Sequence, residues 1–215
     1  YSIVFYAVIL TGERLALIML LGATLLNTIF FLRFYQIIQT IFFFSILIFL
    51  AYQFNEMFQN RINLMYEVLS NFYHSSWGRL YESSYMLFKE NYISGVGLKN
   101  YRVDCDFQID PRPTHSAQFC STHPHNFFLE ILSETGLIGF LIFTLFFVFV
   151  IKRLSKIINF NHKNSNLLNF ARGSLVILAI YVWPIKTSGS FFSTFNGSFF
   201  WFNLGLSILI IKNFS

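Results

Sequence analysis

The sequence predicts an all-α protein: a polytopic transmembrane helix bundle with one large, partly helical loop outside the membrane. Three observations point there. The 215 residues are 55% hydrophobic and only 12% charged, whereas soluble domains carry about 25% charged residues. The chain contains 30 Phe. Long runs carry no charge at all, as in Ile41-Phe42-Phe43-Phe44-Ser45-Ile46-Leu47-Ile48-Phe49-Leu50, and a bilayer core needs about 20 such residues in helical form. The net charge of +5 does not indicate nucleic acid, because the basic residues are scattered among loops rather than gathered in a stripe that could follow a phosphate backbone.

Taken in order, residues 1–10 read as the tail of a span, so the chain is expected to be the C-terminal part of a longer protein. No cleavable signal pattern is present. Thr11-Gly12-Glu13-Arg14 is a polar turn. Residues 15–32 and 34–54 are two further apolar runs, separated at Arg33. Residues 55–122 form a long polar segment, and 127–151 are apolar again. Residues 152–172 read as a basic loop. Residues 171–185 and 199–211 are short spans whose ends must extend into their flanks to cross a membrane. The predicted divisions are transmembrane helices over 1–54, the outer loop over 55–126, and an interfacial helix with the C-terminal spans over 127–215.

Loop charge orients the bundle. Residues 152–172 hold Lys152, Arg153, Lys156, Lys163 and Arg172 and no acid, which predicts a cytoplasmic position. Counting outward puts Arg33 and Lys212 on the same side, and Arg14, the large loop and Lys186 on the other. The large loop is rich in aromatic residues (Phe72, Tyr73, Trp77, Tyr81, Tyr85, Phe88, Tyr92, Tyr101), too many for a disordered segment. Residues 64–90 have helical spacing and suggest an amphipathic helix near the headgroups. Ser94-Gly95-Val96-Gly97-Leu98 then predicts a tight turn. Both cysteines lie in this loop. A Cys105–Cys120 disulfide would close about 16 residues, worth ~3 kcal/mol by chain entropy, and an oxidising compartment permits it; two unpaired thiols are the alternative.

The residues suited to chemistry sit where the loop meets the membrane. Thr122-His123-Pro124-His125-Asn126 ends the polar segment, and imidazole accepts a proton near neutral pH. A histidine there is placed to activate a hydroxyl on a lipid-anchored substrate; a solvated or helix-capping histidine is the plainer alternative. Glu130 and Glu134, four apart, share a helix face. Carboxylates are costly in lipid, so 127–136 reads as an interfacial helix that bends at Gly136 and Gly139 into the following span. One continuous helix with both carboxylates buried against protein is the alternative. Arg14 at a span end can grip a phosphate with paired hydrogen bonds or act as a snorkelling anchor. Arg79 can be a second phosphate ligand or the helical partner of Glu82. A metal site built from Cys120, His115, His123, His125, Asp104 and Asp106 does not match zinc spacing, and Asp104-Cys105-Asp106 is a weak signal for a divalent ion. No cofactor or metal is therefore predicted.

These stretches together resemble the O-antigen ligase and polymerase family of bacterial envelopes. The resemblance rests on His123-Pro124-His125-Asn126-Phe127-Phe128-Leu129 followed by Glu134-Thr135-Gly136-Leu137-Ile138-Gly139. The turn Thr11-Gly12-Glu13-Arg14 is similar to the family's Thr-Gly-Ser-Arg, departing at Glu13. The segment from Arg79 through Ile93-Ser94-Gly95-Val96-Gly97-Leu98-Lys99-Asn100-Tyr101 resembles its Arg-to-Gly-x-Gly stretch. Trp183-Pro184-Ile185 with Ser188-Gly189-Ser190-Phe191-Phe192 resembles the motif between its last two spans. The resemblance implies a metal-independent glycosyltransferase of the C-type membrane architecture, in the bacterial inner membrane with its site facing the periplasm. Its implied donor is a glycan on undecaprenyl pyrophosphate, and its acceptor the lipid A core or a second lipid-linked glycan. It further implies His125, Arg14 and Arg79 as catalytic residues, with His123 and Asn126 among the substrate-binding ones. A polymerase or a protein O-oligosaccharyltransferase would share these motifs. A transporter would be expected to carry ionisable residues at mid-membrane, and an inactive scaffold subunit is a further reading.

Overall fold

The computed structural model describes residues 2–11, 14–31, 33–105, 120–159, 165–183 and 189–213. Among the described residues the protein is all helical, in two compact units, Tyr1–Ser70 and Asn71–Ser215. The first contains α1 (Ser2–Thr11), α2 (Arg14–Phe31), α3 (Phe34–Phe54) and α4 (Glu56–Ser70). The second contains a 3-10 turn (Phe72–His74), α5 (Ser76–Glu90), α6 (Tyr101–Asp104), α7 (Phe127–Asn159), α8 (Ser165–Tyr181) and α9 (Thr194–Asn213).

In the first unit, Phe5, Leu17 and Phe58 form a small core with Phe44, Leu47, Ile48 and Ala51 around it. α3 has 21 residues and none is buried. At 1.5 Å per residue it is about 31 Å long, the thickness of the hydrocarbon core. The apolar side chains it leaves exposed, among them Ile41, Phe42, Phe43 and Phe49, suit lipid, not water. Asn55 separates α3 from α4: its Oδ1 accepts from the Phe58 N–H at 3.0 Å and starts the new helix.

The second unit is built on α7, α8 and α9. Phe127, Ile131, Phe147, Leu178, Phe191, Phe200 and Leu204 are buried together in its core. α9 buries Gly197, Phe200, Asn203, Leu204, Ser207 and Ile210, a stripe three to four residues apart in which small side chains allow close helix approach. Its other face exposes Phe199, Trp201, Phe202, Leu206 and Leu209, again an apolar surface for lipid. Among the described residues three helices, Phe34–Phe54, Phe127–Asn159 and Thr194–Asn213, are long and apolar enough to cross a membrane; α2 and α8 are apolar but shorter.

Two boundaries differ from the sequence reading. The expected basic loop over 152–172 is largely helix, since α7 runs to Asn159 and α8 begins at Ser165. The reason is a continuing apolar stripe: Val150, Leu154 and Ile157 are buried in the core while Lys152, Arg153 and Lys156 point outward. Arg153 also lies over the Phe149 ring at 5.3 Å. The helical spacing across 64–90 is divided as well. Ser75 caps α5, its Oγ accepting from the Gly78 N–H at 3.2 Å, and a Cβ on Gly78 would lie 2.1 Å from the Phe72 oxygen, so the chain turns there.

Candidate active site at the start of α7

Residues 120–126 lead into α7. The Cys105–Cys120 disulfide, with Cα atoms 5.5 Å apart, ties the start of this stretch to a buried cluster of Cys105, Leu87 and Tyr101. Thr122 Oγ1 and His123 Nδ1 are hydrogen-bonded at 2.9 Å. The His123 and His125 rings lie 4.1 Å apart between centroids, and Pro124 between them is buried. His125 has a φ of +54°, the left-handed region, which costs a residue with a Cβ roughly 1–2 kcal/mol. Asn126 follows as the cap of α7. Its Oδ1 accepts from the Phe128 and Leu129 N–H groups, both at 3.1 Å.

α5 faces this stretch. Trp77 and Tyr81, four apart and so on one side of the helix, reach two consecutive residues. The Trp77 ring meets His125 edge-to-face at 5.3 Å, and the Tyr81 hydroxyl accepts from Asn126 Nδ2 at 3.1 Å. Burial pushes the Tyr81 phenol pKa up, although the Asn126 hydrogen bond works against it, so the hydroxyl keeps its proton at neutral pH. Arg79 lies between them in sequence and on the buried side, 1% exposed, with Leu80, Ser83, Ser84 and Leu87. Taking a guanidinium out of water is costly, so this is a strong cation held inside the protein, on the helix that contacts His125.

The first part of α7 is fixed by two more links. At Glu134, 2% exposed, the carboxylate accepts from the Lys99 and Tyr101 N–H groups at 2.6 and 3.4 Å. At Glu130, 1% exposed, it accepts from the Ser190 hydroxyl and, at 2.7 Å, from the Phe191 N–H. The bend falls at Gly136 (φ +64°, ψ −168°), as the sequence indicated, while Gly139 remains helical; both carboxylates are nevertheless buried against protein. Residues 92–97 clasp the bend. Val96 and Gly97 donate to the Ser133 and Glu134 carbonyls, both at 2.9 Å, and Leu137 and Ile138 donate to the Tyr92 and Ile93 carbonyls at 2.8 and 3.3 Å. The backbone groups that a bend would leave open are thus satisfied by the turn at Gly95.

The sequence matches the family described as O-antigen ligase over residues 1–144. The chain belongs to the O-antigen ligase family. No curated protein and no solved structure matches it. The matched region of this O-antigen ligase family member contains Arg14, Arg79, His123, His125, Asn126, Gly95 and Gly136, and ends inside α7.

Arg79, His123, His125 and Asn126 lie in one compact unit of the family member, on α5 and the lead-in to α7; Arg14 opens α2 in the other. Of the discounted metal ligands, Asp106 and His115 lie outside the described residues, and among the described residues no three His, Cys, Asp or Glu side chains are grouped for a metal ion. Sequence reasoning missed Trp77 and Tyr81 as site residues. Their spacing of four, with Arg79 between, was the available signal. It also missed the role of Ser190, although that residue lies in the motif from Ser188 to Phe192.

Proposed function

We propose that this membrane protein transfers a glycan from undecaprenyl pyrophosphate to a sugar hydroxyl at the periplasmic face of the bacterial inner membrane, as an O-antigen ligase with the lipid A core as acceptor. The observation that carries the reading is the His125–Asn126 pair, braced by the helix that buries Arg79, inside the stretch matched by the family. In the proposed reaction the acceptor oxygen attacks the anomeric carbon as the bond from that carbon to the pyrophosphate oxygen breaks. His125 takes the hydroxyl proton. Undecaprenyl pyrophosphate leaves, and the negative charge gathering on it is met by Arg79 and Arg14. Two guanidiniums supply the charge that a divalent ion supplies elsewhere, so the reaction is metal-independent. A single displacement inverts the anomeric configuration. His123 and Asn126 border the same acceptor position.

The test is transfer by the full chain in membranes, with purified undecaprenyl-pyrophosphate glycan and either lipid A core or a second lipid-linked glycan. His125→Ala should lose about 10²- to 10⁴-fold, the usual worth of a general base. Arg14→Ala and Arg79→Ala should abolish transfer at unchanged expression. A chelator should leave the rate alone. Full turnover by His125→Ala, or retained anomeric configuration in the product, overturns the mechanism. Transfer only to the lipid-linked acceptor assigns the protein as a polymerase.

A further inference from the structure

Asn126 makes more hydrogen bonds than its place in the helix needs. Capping α7 uses its Oδ1, which accepts from the Phe128 and Leu129 N–H groups. Ser or Asp would cap as well. Fixing Oδ1 against two donors also fixes the direction of Nδ2, since a flipped amide would set its NH₂ against N–H groups. That direction leads to the Tyr81 hydroxyl at 3.1 Å. The amide donor is therefore surplus to the cap, and it reaches α5.

His125, the preceding residue, holds a left-handed backbone. Such a conformation persists only when its surroundings over-determine it. Buried Pro124 limits it on one side, Asn126 on the other, and Trp77 abuts the ring. The link from Tyr81 to Asn126 connects this arrangement to α5 without passing through the cap. We propose that Tyr81 is a positioning residue for transfer: by holding the Asn126 amide it sets where the His125 imidazole stands, while Trp77 bounds the ring. This rests on His125 being the base, as proposed above.

The experiment is a double-mutant cycle in the full chain, with kcat and KM measured separately. Tyr81→Phe removes only the hydroxyl. Asn126→Ser keeps the cap and removes only the amide donor. Each should lower kcat about ten- to hundredfold, the cost of a misplaced reacting group; KM should stay unchanged in Tyr81→Phe, whereas Asn126→Ser, at a residue that borders the acceptor, is read by kcat alone. The double variant should be no worse than the poorer single, because both cut one link. A second readout does not depend on transfer. The chain has three Trp, so in a Trp183→Phe, Trp201→Phe background the fluorescence of Trp77 should step with pH as His125 gains its proton. Tyr81→Phe should shrink that step, and His125→Gln should remove it. Wild-type kcat in Tyr81→Phe, multiplying losses in the double variant, or a fluorescence step untouched by Tyr81→Phe would each overturn the proposal. If His125→Ala transfers normally, the functional reading fails instead, and the fluorescence arm still decides whether Tyr81 sets the imidazole.

Discussion

Gly136→Ala tests the reasoning about the bend in α7 most directly. The residue sits at φ +64° and ψ −168°, a region essentially restricted to glycine and worth about 1–3 kcal/mol to any other residue. Space is a separate obstacle. A Cβ there would stand 2.3 Å from the Ile93 carbonyl oxygen and 2.5 Å from the Gly95 nitrogen. These are backbone atoms of the clasp, so relief requires residues 92–97 to move away. That movement breaks the nearest of the four backbone hydrogen bonds across the bend, each worth roughly 1 kcal/mol net. Backbone strain and two lost bonds together come to about 3–5 kcal/mol. Amide hydrogen exchange of the protein in lipid nanodiscs reads this locally, at Val96, Gly97, Leu137 and Ile138. A loss of about 3 kcal/mol should speed exchange there by over 100-fold, since each 1.4 kcal/mol is tenfold. Gly205→Ala in α9 is the control, because a Cβ there meets nothing within 4 Å; it should be neutral or slightly stabilising by helix propensity. Exchange at the four clasp amides of Gly136→Ala within about twofold of wild type would refute the argument, whatever the overall melting temperature.

Other expectations follow from the links around the site. Burial pushes the Tyr101 phenol up to about 12 despite its hydrogen bond to Ser83, so above pH 10 the unfolded chain loses this proton first. Stability should then fall as pH rises from about 10 to 12, by up to ~2.7 kcal/mol at 1.36 kcal/mol per unit, and Tyr101→Phe should remove that slope in urea titrations. Reducing the Cys105–Cys120 disulfide, which separates residues 15 apart, should cost ~3 kcal/mol by the chain-entropy relation, read as a lower unfolding midpoint with dithiothreitol and absent in the Cys105→Ser, Cys120→Ser variant. Glu130→Ala leaves the buried Phe191 N–H without its carboxylate acceptor and should destabilise by about 1–3 kcal/mol, and Ser190→Ala should cost a similar amount in the same unfolding assay, because it leaves the buried Glu130 carboxylate without its hydroxyl donor.

The spans were legible because a bilayer imposes a simple demand. Backbone groups must be paired internally, so an apolar run of the right length becomes a helix. Their ends were less so. Lys152, Arg153 and Lys156 made 152–159 look like loop, yet Leu154 and Ile157 carry the buried stripe onward and the lysines simply face away. The break at 71–75 was hidden because the helical period on either side is similar, and only the cap at Ser75 and the approach of Gly78 to Phe72 mark it. In the site, His123, His125 and Arg79 were legible as residue types with chemistry. Their partners were not. Tyr81 lies 45 residues from Asn126, and Ser190 lies 60 from Glu130, and no local periodicity encodes a hydrogen bond over such a span. Gly95 and Gly136 were each legible as a turn or a bend, but not as two faces of one contact.

Asn126, the cap of α7, and Glu130 and Glu134 in its first turns stand four apart, so they wind round one side of it by about 40° per step. Each accepts or donates to a different piece of the second unit: Asn126 to α5, Glu130 to residues 190–191, Glu134 to residues 99–101. Three polar side chains buried in one row would be costly if unsatisfied, and apolar residues would pack the same face more cheaply. What the polar row adds is direction, because hydrogen bonds fix which segment meets the helix and at what rotation, where apolar contacts do not. The end of that row is His125. Movement at Asn126 reaches the imidazole at once, while movement at Glu134 must pass through about 12 Å of helix at 1.5 Å per residue. Substitutions along the row should therefore divide by position. Asn126→Ser should act mainly on transfer. Glu134→Ala should act mainly on stability and on exchange at Lys99 and Tyr101. If instead Glu134→Ala abolished transfer in a protein that unfolds at the wild-type midpoint, the carboxylate would have to take part in the chemistry itself, and the row would be part of the site rather than its support.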